Sequence, residues 1–390
     1  MPNSALNIGI IGAGIGGLTT AIAMQQGGHR VQVYEAAPEL KAVGAGLWLA
    51  PNGQTVLKRL NPKLLEEVIE AAFVLEKAFV MTQNSQILSE INPTLIQLPD
   101  LTAQTIAIQR SELHRILVQA LEPDSLYLGH RFASLQSSGN SVTCQFENGE
   151  SATFDLLIGA DGIHSKVRHA IFGELPLRYS GQTCWRGLAD LRLSGQWATQ
   201  SAEIWGHEPG LRMGFSHVTA DRVYFYITYL AQAGLKPQAE QVKQSLLKKF
   251  EHFPDVTREI LRATPPESWI HGDLWDFKPL KQYYQGAVVL LGDAAHATTP
   301  NLGQGANQAM ESAWALSQAL QNTNTLSEAL QFYQNKRQPK ASRVTQVSWQ
   351  FNQLVNLKQP WLRALRNLAL SKTPASVTQK QLEQIYRLDD

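Results

Sequence analysis

Apolar residues at Leu6, Ile8, Ile10 and Ile11 form the short run of a buried strand, and glycines end it at once. A helix-forming stretch then runs through Ala23 and Met24, and Val31, Val33 and Tyr34 predict a second strand. This order is a β-α-β unit. Leu113, Ile116, Leu117 and Leu121 share one face of a predicted helix over 111–121. Glu147-Asn148-Gly149 predicts a hairpin turn, whose returning strand over 154–158 leads to a glycine–aspartate turn and a helix starting near Ser165.

The pattern changes after Phe172. Short runs rich in aromatic and β-branched residues follow, such as Tyr224-Phe225-Tyr226-Ile227-Thr228-Tyr229, separated by Gly, Pro and Asp. An apolar strand over 287–291 then returns, followed by Gly292-Asp293 and an Ala-rich helix over 304–320. The predicted fold is α/β: a Rossmann-type domain interrupted by a mostly β substrate domain, with helices at the C-terminus. The first unit takes 1–73, 105–175 and 280–325, the β unit 74–104 and 176–279, and the helical segment 326–390. Pro339, Pro360 and Pro374 punctuate that last segment.

At 390 residues, 44% hydrophobic and 17% charged, the chain has the composition of a globular protein of two or three units. A net charge of +1 provides no overall electrostatic footprint for nucleic acid. Two cysteines, Cys144 and Cys184, make neither a disulfide framework nor a thiolate metal cluster, and the histidines show no metal-binding spacing. No Lys or Arg precedes the first apolar run, and no stretch approaches the ~18 uninterrupted apolar residues of a spanning helix. A cytoplasmic location is the expectation.

Gly12-Ala13-Gly14-Ile15-Gly16-Gly17 stands between a strand and a helix. Gly12 makes the turn, Gly14 lets a pyrophosphate approach the backbone, and Gly17 permits close packing, while the helix N-terminus receives the anion. Glu35 ends the second strand, where a carboxylate accepts hydrogen bonds from ribose hydroxyls. Asp293, after a buried strand, is suited to a sugar-alcohol hydroxyl. Pro300-Asn301-Leu302-Gly303-Gln304-Gly305-Ala306-Asn307 places a rigid proline and unhindered amides before a helix, whose positive end stabilises negative charge.

Gly159-Ala160-Asp161-Gly162-Ile163-His164-Ser165-Lys166-Val167-Arg168 and Gly292-Asp293-Ala294-Ala295-His296 resemble two motifs of the single-component FAD-dependent aromatic hydroxylases. The resemblance runs from residue 6 to about 345, and the subset includes salicylate, urate and 3-hydroxybenzoate hydroxylases, zeaxanthin epoxidase and tetracycline-inactivating monooxygenases. It implies bound FAD, a transient NAD(P)H donor, O2, and oxygen transfer to an aromatic or polycyclic small molecule through a flavin C4a-hydroperoxide. By the same resemblance Arg110 lies on the FAD, Asp161 supports its turn, and Arg168 supports that turn or meets NAD(P)H. Pro300 faces the flavin, and Arg212 and Tyr224 lie over the substrate. Asn301 stands where some relatives carry an acid, which removes that carboxylate from substrate deprotonation. Trp185, Trp205, Met213, Phe215, Tyr224 and Tyr226 supply material to shield the intermediate from water.

Alternatives are a flavin-dependent double-bond reductase of the same fold and a non-catalytic carrier that kept the dinucleotide fold. His296 has no serine in an elbow beside it and reads as structural. Residues 329–382 hold nine Lys and Arg and no Asp or Glu, and Trp361, Leu365 and Leu368 share a helical face. The favoured expectation packs that face on the FAD domain; peripheral contact with a membrane is the alternative.

Overall fold

The computed structural model describes residues 5–41, 45–92, 105–139 and 141–388. Asn7–Ile11 lies within a six-stranded sheet, parallel to Arg30–Tyr34 on one side and to Leu156–Gly159 on the other. Leu156–Gly159 pairs in parallel with Val288–Leu290. Ile8, Ile10, Leu156, Ile158 and Val289 are wholly buried, as a parallel sheet covered on both faces requires. Three strands thus end side by side, and the three glycine turns that follow them gather at one sheet edge. The return from the hairpin is two strands rather than one. Ser151–Phe154 pairs antiparallel with Ser141–Phe146, whereas Leu156–Gly159 joins the parallel sheet. Asp155 marks the switch, its carboxylate accepting a hydrogen bond from the Asn7 amide at 2.8 Å.

A seven-stranded sheet runs in the order Ile270–Phe277, Leu177–Asp190, Arg222–Leu230, Arg212–Thr219, Gln200–Trp205, Lys77–Thr82, Ile87–Ile91. Successive side chains point to opposite faces. One face carries Trp185, Met213, Phe215, Phe225 and Ile227 into a core with Leu246, Phe250 and Ile260 from the helices Ala239–Lys249 and Asp255–Ala263. This corrects the expected shield: Trp185, Met213 and Phe215 face those helices. The other face carries Arg186, Glu203, Arg212, Tyr224 and Tyr226 by register.

A small sheet of Gly46–Leu49, Thr105–Gln109 and Phe73–Leu75 meets this second face, where Trp48 Nε1 donates to Ser216 Oγ at 3.1 Å. The expected boundary after residue 73 falls inside Phe73–Leu75, and 93–104 lie outside the described residues.

Helix Leu326–Val355 starts with a capping box between Thr325 and Glu328 and continues through Pro339. Proline removes one backbone hydrogen bond there, but buried Leu330, Tyr333, Arg337 and Ala341 hold the helix against the body of the protein. Pro360–Lys372 reverses the favoured expectation: Trp361, Leu365 and Leu368 are 66%, 57% and 55% exposed. The helix docks instead through its opposite face, where Arg366 lies over the Trp205 ring at 4.4 Å and donates to the Leu354 carbonyl at 2.9 Å.

Candidate functional site

Gly12 has φ +105°, and a Cβ there would lie 2.5 Å from the Ala160 carbonyl oxygen of the neighbouring turn. A Cβ on Gly17 would come within 2.0 Å of the Gly12 oxygen, whereas one on Gly14 would meet nothing within 4 Å. The turn is therefore closed on its protein side and open beyond Gly14. Helix Ile15–Gln26 begins there with no side-chain cap and no first-turn acid, so its leading amides remain available to an anion. Glu35 is held by two backbone amides outside that helix: Oε2 accepts from Ala13 N and Oε1 from Ala37 N, both at 2.9 Å. Each oxygen keeps a further lone pair for a hydroxyl donor.

Asp161 Oδ2 accepts from Val167 N at 3.1 Å, and its buried Oδ1 has no hydrogen bond among the described residues. Burial raises its pKa against the lowering effect of the turn's hydrogen bonds. Arg168 is buried; it donates to the Ala294 carbonyl at 3.0 Å and to that of Ile163 at 2.6 Å, and covers the Phe277 ring at 4.5 Å. Of its two expected roles, this geometry supports the turn.

Asp293 opens a short helix, Asp293–His296, beside the N-terminus of Gly305–Asn322. A Cβ on Gly305 would stand 4.0 Å from Asp293 Oδ1. The carboxyl reaches solvent yet is closely surrounded by protein, which pushes its pKa up while Arg110 pulls it down. Arg110, itself exposed, begins helix Arg110–Gln119 and is electrostatically coupled to Asp293. Pro300–Leu302 forms a single turn, and Gly303 closes it at φ +61°. Gly305–Asn322 then starts with no side-chain cap, leaving the amides of Gly305, Ala306 and Asn307 at its positive end. The Asn307 side chain is committed elsewhere. Its Oδ1 accepts from Ala50 N at 3.0 Å and its Nδ2 donates to the Trp48 and Gly303 carbonyls, so only its backbone amide faces outward with its neighbours.

Across the second sheet, Arg186, Tyr226, Gly214, Glu203 and Val80 stand opposite one another on successive strands. A Cβ on Gly214 would lie 2.3 Å from the Tyr226 ring, so the missing side chain is where Tyr226 lies. Its hydroxyl donates to Glu203 Oε2, and burial beside that carboxylate raises its pKa well above the ordinary value. Arg212 is fully buried. Its Nε donates to Thr228 Oγ1 at 3.0 Å, its Nη1 approaches both Glu203 oxygens at 3.3 Å, and its Nη2 donates to Asn301 Oδ1. Asn301 continues the chain of contacts to the Ser348 carbonyl at 3.0 Å. Arg212 thus ties the sheet to the Pro300 turn, while Tyr224 and Tyr226 are the partly exposed aromatic residues of this face. Trp205 points its Nε1 to Glu203 and packs with Leu88 and Val355.

Glu203 and Arg186 were not singled out from the sequence. A lone acid within Gln200–Trp205 has the sequence appearance of a solvent-facing strand position, and only the register places it beside Arg212.

A family model described as an FAD binding domain matches residues 5–348. The chain is 31% identical over 351 residues to the aurachin C monooxygenase/isomerase of Stigmatella aurantiaca, covering 90% of each. It is 32% identical over 337 residues to the FAD-dependent urate hydroxylase of Klebsiella pneumoniae subsp. pneumoniae, covering 84% of this chain and 85% of the relative. The crystal structure of Klebsiella pneumoniae HpxO complexed with FAD and uric acid is similar at a TM-score of 0.89 and 27% identity, covering 97% of this chain and 96% of that one.

Proposed function

The chain belongs to the FAD-binding family matched over residues 5–348, and from that membership we propose an FAD-dependent monooxygenase that uses NAD(P)H and O2 to oxygenate a planar, electron-rich aromatic small molecule. The observation that carries this reading is the meeting of three glycine turns at one sheet edge, with a polar, tyrosine-bearing face tied through Arg212 and Asn301 to the Pro300 turn that follows the third of them. Bound FAD supplies the hydride-accepting and oxygen-activating chemistry.

The residues suit that group. Gly12, Gly14 and Gly17 with the leading amides of Ile15–Gln26 receive the pyrophosphate, Glu35 the ribose, and Arg110 a phosphate oxygen. Asp161 braces its turn through Val167, and Asp293 accepts from a sugar-alcohol hydroxyl. Gly303 shapes the turn before the Gly305, Ala306 and Asn307 amides, which would stabilise negative charge on the bound ring system. Pro300 and Tyr224 would line the reacting space; Arg212, fully buried, positions the Pro300 turn through Asn301. The division into a discontinuous 1–73, 105–175 and 280–325 unit, a 74–104 and 176–279 unit and a 326–390 segment belongs to the same reading, as does a cytoplasmic location.

Purified protein should carry the yellow absorbance of oxidised flavin and oxidise NAD(P)H faster when an aromatic substrate is added. Flavin-free protein rejects the reading. Substrate turnover that proceeds without O2 favours the double-bond reductase instead.

The exposed Trp361, Leu365 and Leu368 support a second contact, with an anionic membrane surface. Lys358 and Lys372 are exposed at the two ends of their helix, and Lys380 on the helix Ala375–Tyr386 that follows. No helix among the described residues is long and apolar enough to cross a membrane, so this contact is peripheral.

A further inference from the structure

The polar face of the seven-stranded sheet has an unbalanced charge. Arg212 and Glu203 offset one another through contacts at 3.3 Å. Arg222, at the far end, pairs with Asp190 at 2.7 Å. Arg186 has no carboxylate partner among the described residues; the groups that act on its charge are the Cys184 thiol and the Tyr224 phenol. It stands directly opposite Tyr226 in register and is partly exposed, so its guanidinium belongs to the same open face as Tyr224 and Tyr226.

A guanidinium does not lose its proton under any ordinary condition. Partial burial desolvates the charge, and an arriving anion offsets that cost. Its planar fork of N–H donors matches the two oxygens of a carboxylate and also serves a single ionised oxygen. The Tyr224 and Tyr226 rings beside it offer an aromatic ligand apolar surface. Glu203 does not compete for Arg186, because its oxygens already accept from Tyr226, Trp205 and Arg212.

We propose that Arg186 is the anion-binding group of the substrate site, receiving a carboxylate or an ionised ring oxygen carried by the aromatic substrate. The inference rests on the reading of this face as the substrate side of a flavoenzyme. It narrows the substrate class to aromatic acids and acidic phenols or enols. Neutral aromatics leave the guanidinium without a partner and bind more weakly.

Benzoate and benzamide differ in charge and little in shape, so the test titrates each into FAD-loaded protein and follows heat and the flavin difference spectrum. Wild type should bind benzoate at least about tenfold more tightly than benzamide, as removing a charge-assisted contact implies. Arg186→Gln should abolish that preference with flavin content unchanged, and Arg186→Lys should keep part of it. 4-Nitrophenol, titrated above and below its own ionisation, reports whether a ring oxygen serves as well as a carboxylate. Equal binding of benzoate and benzamide in wild type, binding of neither, or an intact preference in Arg186→Gln overturns the assignment. Retained flavin shows that each variant is folded. Colourless wild-type protein rejects the flavoenzyme reading separately, since the calorimetric titrations are repeated on flavin-free protein.

Discussion

Tyr226 lies across Gly214 and donates its hydroxyl proton to Glu203, two strands away. The bond exists only because the intervening strand carries no side chain at that position. Gly214→Ala should push the ring aside and break the bond, destabilising the protein by about 1–3 kcal/mol as overpacking does. FAD should remain bound, because the glycine turns lie on the other sheet. An unchanged denaturation midpoint would contradict the geometry.

Asp293→Ala removes a solvent-reaching carboxylate that makes no side-chain hydrogen bond among the described residues. FAD affinity should fall by roughly 1.5–3 kcal/mol, about tenfold or more, while the protein stays soluble. Equilibrium dialysis against FAD measures this, and unaltered affinity takes Asp293 out of the site.

Arg212→Ala cuts the tie between the sheet and Asn301 and leaves Glu203 without its cation. The expected variant keeps FAD and still oxidises NAD(P)H, but diverts oxygen to hydrogen peroxide because the substrate is misplaced. Comparing peroxide released with NAD(P)H consumed checks it; fully coupled turnover excludes the positioning role.

His296 is buried with Nε2 2.9 Å from Ser312 Oγ, and its pKa is lowered to about 3, chiefly by burial and secondly by Arg337. The unfolded chain takes up a proton near 6.5, and the folded one does so only near 3. The neutral imidazole therefore contributes stability above pH 6.5 that is lost as pH falls toward 3, at up to about 1.4 kcal/mol per unit. Denaturant titrations across that window should show a steeper acid loss in wild type than in His296→Gln. Parallel profiles would show that His296 does not set the slope.

Co-sedimentation with vesicles checks the exposed stripe. Binding to anionic but not neutral vesicles is expected, weakening with salt and lost in a Trp361→Ser, Leu365→Ser double variant. Protein that stays in the supernatant at low salt rules the contact out.

The glycine turns were legible in the sequence because their requirement is local: Gly12 needs its positive φ and Gly17 its close approach whatever surrounds them. The sheet face was not. Arg212-Met213-Gly214-Phe215-Ser216 alternates, which sets Met213 and Phe215 opposite Arg212, but Arg212 through Val218 are all buried, so the pattern does not tell which side meets the helices and which the site. Only pairing register separates them, and register depends on strands far apart in the chain. Pro360–Lys372 shows the same limit for helices, since periodicity identifies an apolar stripe but not what covers it.

Arg168 joins the Asp161 turn to Ala294 from within the protein, its donors already committed to the Ile163 and Ala294 carbonyls. Two segments some 130 residues apart are thereby riveted together independently of any cofactor. Loading the flavin should then be a matter of a guest entering furnished quarters: FAD removed from the holoprotein and added back is expected to rebind without a passage through the denatured chain.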